Sequence, residues 1–446
     1  MHSTDLKAPS ADATRALRPL LFVSFLASLS FSIVMPFLVF IVDDLGGNAF
    51  VLGLLGAAFS AFQLLGSPWL GALSDRIGRK RVLLFSQLGA ALAWLVFLAA
   101  LWAPARPFLR IEHALIGSFA LNLPLLLILL SRSTDGLMNG SISVANALVA
   151  DMTTGDERKR GFGKMGAATS LGFVVGPLLA GLAAHGLQGI RLLVIVAFLL
   201  SALGALVVRV GLQDYRPSGE SRRAVARTPT LHAQKVLGGG PKDCRPGRPL
   251  LHRRSFNEVL RIPGMPAMLW LYFLIYLGFS FFYVAFPVHA LRVLRWTSDR
   301  LGLFYSLLSL VLIVVQSALL PLASRKFGDV TLSLFGNLLL AVSFCLLALP
   351  SSQAAFAAAL LFGLGNGLMW PSYLSMLSRI GSLELQGSVQ GVASSGGSLA
   401  SILGLLLGGS LYQSIGAWVF VVAASILGLV ALLFLRMFTR QRPLTA

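Results

Sequence analysis

From Pro19 onward the chain returns repeatedly to runs of about 20 apolar residues, the length a helix needs to cross a bilayer core about 30 Å thick. Walking the sequence with that ruler predicts twelve spans, starting near Pro19, Phe50, Arg81, Leu123, Phe162, Ile190, Met265, Leu301, Val330, Ser352, Val389 and Gly416. Composition agrees: 56% of the residues are hydrophobic and 12% charged, against roughly 25% charged in an ordinary soluble domain. The first apolar run is long and follows a polar, mixed-charge tail, so it reads as a retained first span rather than a cleaved leader.

The positions of Lys and Arg set the orientation, because cytoplasmic loops carry the excess of them. With the N-terminus inside, 29 of the 36 Lys and Arg residues fall on the inner side and six on the outer, with Arg132 within a span. Both termini are therefore expected in the cytoplasm, on a multi-pass protein of the plasma (inner) membrane. The net charge of +19 is explained by that bias and does not call for nucleic acid. Cys244 and Cys345 lack metal-ligand or framework spacing and read as free thiols. No metal and no cofactor is expected.

Five regions follow: an N-tail (1–18), a six-helix bundle (19–210), a basic linker (211–264) rich in Arg, Pro, Gly and Ser, a second six-helix bundle (265–437) and a C-tail (438–446). The linker reads as a flexible tether near anionic headgroups. The bundles look like repeats of one another. Pro36 and Pro287 hold similar places, Gly136-Leu137-Met138 recurs as Gly367-Leu368-Met369, and Gly176 with Ala180-Gly181 recurs as Gly404 with Gly408-Gly409. A longer outer loop around residues 103 to 122 accounts for the extra length of the first half. The expected fold is an all-α membrane protein of 12 transmembrane helices in two pseudo-symmetric six-helix bundles, an arrangement that builds a midplane site and rocks one half against the other.

Between the second and third spans lies Gly71-Ala-Leu-Ser-Asp75-Arg76-Ile-Gly78-Arg79-Lys80-Arg81. It resembles the loop 2/3 signature of the major facilitator superfamily at nearly every position. Arg132-Ser-Thr-Asp-Gly136 is similar to the family's helix 4 motif, and Asp151 to Gly163 resembles its helix 4/5 loop. Gly172-Phe-Val-Val-Gly176-Pro177-Leu-Leu-Ala-Gly181 is similar to the helix 5 motif associated with antiporters. Together they point to the drug:proton antiporter branch and to tetracycline-efflux-type proteins. The resemblance implies a latch between the halves, facing the eleventh span and involving Gly71, Asp75, Arg76, Gly78, Arg79 and Asp151. In the second half the matching stretch, Pro321 to Asp329, has Arg325 in the place of Asp75, which reads as a degraded latch. Alignment through Met35-Pro36 puts Ala27 where tetracycline-efflux-type proteins carry an acid, which weakens tetracycline itself as the solute.

Each motif also has a physical reading of its own. Asp75, Arg79 and Asp151 would meet at neighbouring helix ends and form an ion-pair network that holds one conformation closed. Gly172, Gly176 and Gly181 around Pro177 allow a close, bent helix contact. Arg132 and Asp135, three residues apart on one helical face, are ionisable groups at membrane depth, which are costly and functional by default. Asp135 either alternates between a proton and Arg132 or simply neutralises an arginine that organises the cavity. Burial and a neighbouring cation act in opposite senses on a carboxyl's proton affinity, so the sequence leaves both open.

For the solute the chain offers an aromatic surface with scattered amides: Trp270, Tyr272, Tyr276, Phe279, Phe282, Tyr283 and Phe286 in the seventh span, Asn366 and Trp370 in the tenth, with Gln63, Asn139, Asn146, Gln316 and Gln390 elsewhere. Asn139, Tyr276, Tyr283, Asn366 and Trp370 combine central depth with a polar handle and are the candidate cavity residues. They suit a small, moderately hydrophobic organic solute. The function expected is secondary active transport by a monomer, as proton-coupled efflux. A symporter or uniporter of the same fold, and a non-transporting membrane sensor, are the alternatives. Enzyme chemistry lacks a nucleophile, metal cluster or acid pair at depth, and no Walker signature supports an ATP-driven pump.

Overall fold

The structure is a computed structural model that describes residues 11–153, 155–183, 186–212, 258–380 and 386–439. Most of the basic linker with Cys244, the start of the N-tail and the end of the C-tail lie outside the described residues.

Helix α1 (Ala11–Val34) passes through a 3-10 turn at Met35–Phe37 into α2 (Leu38–Asp44). The turn centres on Pro36, whose missing N–H cannot extend an α-helical ladder. Next come α3 (Ala49–Ile77) and α4 (Arg79–Trp102). Gly78 divides them with φ +101, a conformation side-chain-bearing residues avoid. After the hairpin β1 (Pro107–His113) and β2 (Gly117–Asn122) follow α5 (Leu123–Asn139), α6 (Ile142–Met152), α7 (Gly155–Ala183) and α8 (Gly186–Gly211). The remainder is α9 (Met265–Arg292), α10 (Ser298–Val314), a π-turn at Val315–Leu319, α11 (Leu320–Ala323), α12 (Asp329–Leu347), α13 (Ser352–Ile380), α14 (Gln386–Ile415) and α15 (Trp418–Thr439).

Among the described residues, eleven helical segments are long and apolar enough to cross a membrane. Each begins within three residues of an expected start. The fourth expected span differs. It is two helices, of 17 and 11 residues, broken at Gly140-Ser141. Packing explains the break: Ser143 Oγ donates to the Gly140 carbonyl at 2.8 Å and to the Ser67 carbonyl at 2.9 Å, fixing the step against α3. A side chain at Gly140 would collide with the Gly66 and Ser67 backbone.

The long outer loop predicted near residues 103 to 122 is an antiparallel hairpin, so the chain is not purely helical. It is fastened to the turn between α2 and α3. Asn48, which caps α3 by accepting from Val51 N, donates to the Ile116 and Ser118 carbonyls at 2.8 and 3.1 Å. Asn122, the cap of α5, donates to the Leu45 carbonyl at 2.7 Å, and Ala120 N to the Gly46 carbonyl at 3.0 Å. Two amide side chains thus start a helix and anchor the hairpin at once.

Helices α1 to α8 pack chiefly on one another, as do α9 to α15, and the two groups meet through α3 against α14 and α7 against α10. These contacts concentrate at the end carrying the hairpin. There Arg292 reaches Asp43 Oδ1 at 2.9 Å and the Gly47 carbonyl at 3.1 Å, and Gly117 at the start of β2 approaches Gln413. A Cβ at Gly302 would lie 2.6 Å from Gly181 Cα, and one at Gly409 2.6 Å from the Ala49 carbonyl. Absent side chains let backbones touch. Toward the opposite end, which carries Arg79, the same helices part: a Cβ at Gly163, Gly166, Gly391 or Gly396 would meet nothing within 4 Å. The halves are joined at the hairpin end and open at the Arg79 end.

Candidate functional site

Helix α5 places Arg132 and Asp135 on its buried face, Arg132 fully enclosed and Asp135 5% exposed. Their ion pair is 3.2 Å long. The guanidinium lies over the Trp94 ring at 4.5 Å and 5.7 Å from that of Phe97, both on α4. A cation over an aromatic face gains about 2 kcal/mol when desolvated, which offsets part of the cost of holding it away from water. Apart from the Asp135 pair, its nitrogens have no hydrogen-bond partner, nor does Asp135 Oδ2. The arginine is caged; the carboxylate, itself buried, is the member of the pair that borders a cavity.

Asp135 borders a cavity of about 60 Å³ inside the first half, between α1, α4, α5, α6, α7 and α8. Ser30, Ser86, Gln87 and Ser201 form its buried floor, while Asn146 and Thr169 are partly exposed near the open gap. Asn139 and Ala27 line it as well. The broken fourth span creates this space, for Met138, Asn139, Ser141 and Ile142 around the step are all wall residues.

Among the described residues, the second half holds no charge at the matching depth. Aligning Gly136-Leu-Met with Gly367-Leu-Met sets Asn366 opposite Asp135 and Gly363 opposite Arg132. Asn366 Oδ1 is buried without a hydrogen-bond partner. Beside it α9 and α13 assemble an aromatic cluster: Trp370 lies 5.3 Å from Tyr276 and 5.5 Å from Tyr272, and Tyr373 5.9 Å from Tyr272. The Tyr373 hydroxyl donates to the Met268 carbonyl. Tyr276 and Trp370 are partly exposed, Tyr272 and Tyr373 buried. Tyr283 stands two turns from Tyr276 on the same helical stripe, 57% exposed, with its ring against Phe282 rather than in the cluster.

At the Arg79 end the charges meet. Arg79 bridges Asp75 at 2.7 Å and Asp151 at 3.1 Å, and also donates to Ser74 Oγ. Exposed pairs of this kind contribute about 0–1 kcal/mol each, little enough to be made and broken in a working cycle. A Cβ at Gly71 would lie 3.7 Å from Ser143 Oγ of its own half and Arg76 is exposed, so in this conformation the network lies within the first half. The second half, whose matching stretch reads from sequence as a degraded latch, has a pair with the signs exchanged: Asp329 pairs with Arg379 at 3.3 Å and accepts from Ser375 Oγ at 2.8 Å. Of the helix 5 glycines, Gly172 and Gly176 pack on α1 within the first half, and Gly181 meets Gly302 of the second. The side chains of 154–160 lie outside the described residues.

Sequence reasoning did not single out Trp94, Phe97, Ser86, Gln87 or Tyr373. Trp94 and Phe97 carry a signal in their three-residue spacing on the third span, one helix away from a buried arginine. The serines carry none, because small hydroxyls are ordinary packing residues between membrane helices.

The Major Facilitator Superfamily model matches residues 20–325 and 268–446. The class C tetracycline resistance protein of Escherichia coli is 27% identical over 363 residues, 81% of this chain and 80% of that protein. Major facilitator superfamily domain-containing protein 10 of Homo sapiens is 28% identical over 375 residues, 82% of this chain and 74% of its own. Among solved structures, the human organic anion transporter MFSD10 (TETRAN) superposes with a TM-score of 0.65 at 23% identity, covering 96% of this chain and all of that one.

Proposed function

Because the chain belongs to the Major Facilitator Superfamily, we propose that it exports a small, moderately hydrophobic organic solute by alternating access, in exchange for protons carried on Asp135. The observation that carries this reading is a buried carboxylate beside a caged arginine, bordering a cavity in a molecule whose halves part at the Arg79 end. The excess of Lys and Arg on that side supports a cytoplasmic orientation for it. The conformation is then the one that loads solute from inside, with Arg292–Asp43 and the glycine contacts sealing the far end. Closing the Arg79 end would bring the Arg79 and Asp329 networks together and open the hairpin end. Relatives named for tetracycline resistance and organic anion transport support an organic solute.

In the cycle, solute enters against the Tyr276–Trp370 wall, with Asn366 offering a hydrogen bond and Tyr283 lining the path, while Asn139 faces the cavity beside Asp135. A carboxylate that pairs with Arg132 is neutralised by it; a protonated one releases the guanidinium onto Trp94 alone. That alternation is a change of charge inside α5, and the half rocks in response. The partner species are the solute, protons and the bilayer, and the transporter works as a monomer.

A drug-susceptibility panel in a pump-deleted host, repeated with a proton uncoupler, tests the class. Resistance to some compounds that disappears with uncoupler is expected, and a uniformly null panel would favour a metabolite carrier. In vesicles, Asp135→Asn should abolish transport driven by a pH gradient while the protein remains in the membrane. Unchanged coupling would remove Asp135 from the mechanism.

A further inference from the structure

The cavity beside Asp135 is too small for the solute. At about 60 Å³ it accommodates about four to six water molecules at roughly 10–15 Å³ each, whereas drug-sized ligands need pockets of about 300–1,000 Å³. Its lining carries more apolar than polar surface, yet polar side chains reach well below the molecular surface: Ser30, Ser86, Gln87 and Ser201 are each under a tenth exposed. One of its polar atoms, Ser86 Oγ, is buried with no hydrogen-bond partner, and Asp135 Oδ2 has none beyond its 3.2 Å contact with Arg132. Buried oxygens with unused acceptor capacity beside a space of this size are what ordered water satisfies.

We infer that this cavity is a water-filled branch that delivers protons to Asp135 through the interior of the first half, so that proton and solute reach their sites by different routes. The inference rests on Asp135 as the proton carrier and adds the path. From the partly exposed mouth at Asn146 and Thr169 the branch runs to a floor where Ser30 and Ser201 hydroxyls lie 3.1 Å apart and Ser30 donates to the Ala197 carbonyl. A hydronium at the mouth passes its charge along the waters, the last of which gives a proton to a carboxylate oxygen of Asp135 and remains water. The reverse sequence returns the proton. The charged group facing Asp135 is Arg132 of its own helix, and the wall residues from α1, α4, α6, α7 and α8 include no titratable side chain. The aromatic cluster of the second half contributes no residue to these walls.

Ala27 on α1 and Ala90 on α4 line the branch from different helices. Leucine at either place fills it, and serine at 27 keeps it polar. The full-length protein in lipid nanodiscs is moved into D₂O, and the infrared band of the protonated Asp135 carboxyl, assigned by its loss in Asp135→Asn, is followed in time. Wild type and Ala27→Ser should exchange promptly, while Ala27→Leu and Ala90→Leu, checked for monodispersity, should exchange tenfold or more slowly. Prompt exchange in both leucine variants would overturn the branch, because protons would then arrive through the shared gap. A pH-independent Asp135 band would overturn it too. Slowed exchange in a protein whose transport proves indifferent to pH gradients would uphold the path and sink the exporter reading alone.

Discussion

The two halves put different chemistry at the same depth. In the first, Trp94 carries the Arg132 guanidinium, and Asp135 sits beside a small cavity whose buried part includes Ser30, Ser86, Gln87 and Ser201. In the second, the motif alignment sets Phe344 at the place of Trp94, and there it stacks 5.7 Å from Phe282 and 5.9 Å from Phe362. Gly363, opposite Arg132, packs against Val311, and neutral Asn366 replaces Asp135. The halves resemble one another in motif, yet the first holds a charge where the second packs rings. On the proposed function, the difference is a division of labour: an ion-handling half and a solute-handling half, joined so that events in one tilt the other.

The largest contrast should appear in stability. Arg132→Ala leaves a buried carboxylate without its cation, a change that costs about 3–5 kcal/mol, whereas Asn366→Ala removes an amide oxygen with no partner and should cost far less. Thermal unfolding of the purified protein, followed by tryptophan fluorescence, measures both. Equal losses would erase the distinction between the halves.

The next effect belongs to the solute. Trp370→Ala removes ring contacts worth about 0.5–1.5 kcal/mol beyond area, so affinity for a solute found by the susceptibility panel should fall by up to about tenfold. The Asp135 carboxyl band should keep its pH dependence. If it shifts as well, the cluster and the ion pair are one site.

The smallest effects lie at the rim. Asp151→Ala and Arg379→Ala each delete one side of a partly exposed ion pair, and such pairs are weak. Spin-label distances across the Arg79 end should therefore shift in population by a few fold at most, with no loss of folding. Unfolding in either variant would make the rim structural rather than conformational.

Much of this was legible in advance, for a stated reason. Membrane length and the positive charge bias act on whole segments, so the span starts and the charge cluster at 71–81 could be read residue by residue. Arg132 and Asp135 stood out because ionisable groups at depth are rare. The break at Gly140-Ser141 did not, since neither residue lowers hydropathy enough to interrupt a span and the cause is the Ser67 carbonyl on another helix. The hairpin was read as a longer loop because its strands are short and its anchors, Asn48 and Asn122, act across the fold. The second-half rim looked degraded because Arg325 stands at the position of Asp75, while the pair that forms uses Asp329 and Arg379, some 50 residues apart.

Whether the first half alone handles the proton can be tested by adding solute to purified protein in weakly buffered solution and recording the pH. Wild type and the Trp370→Ala variant at saturating solute should release a proton, and Asp135→Asn should release none. Undiminished release from Asp135→Asn would contradict the account, because the proton would then be held elsewhere in the molecule.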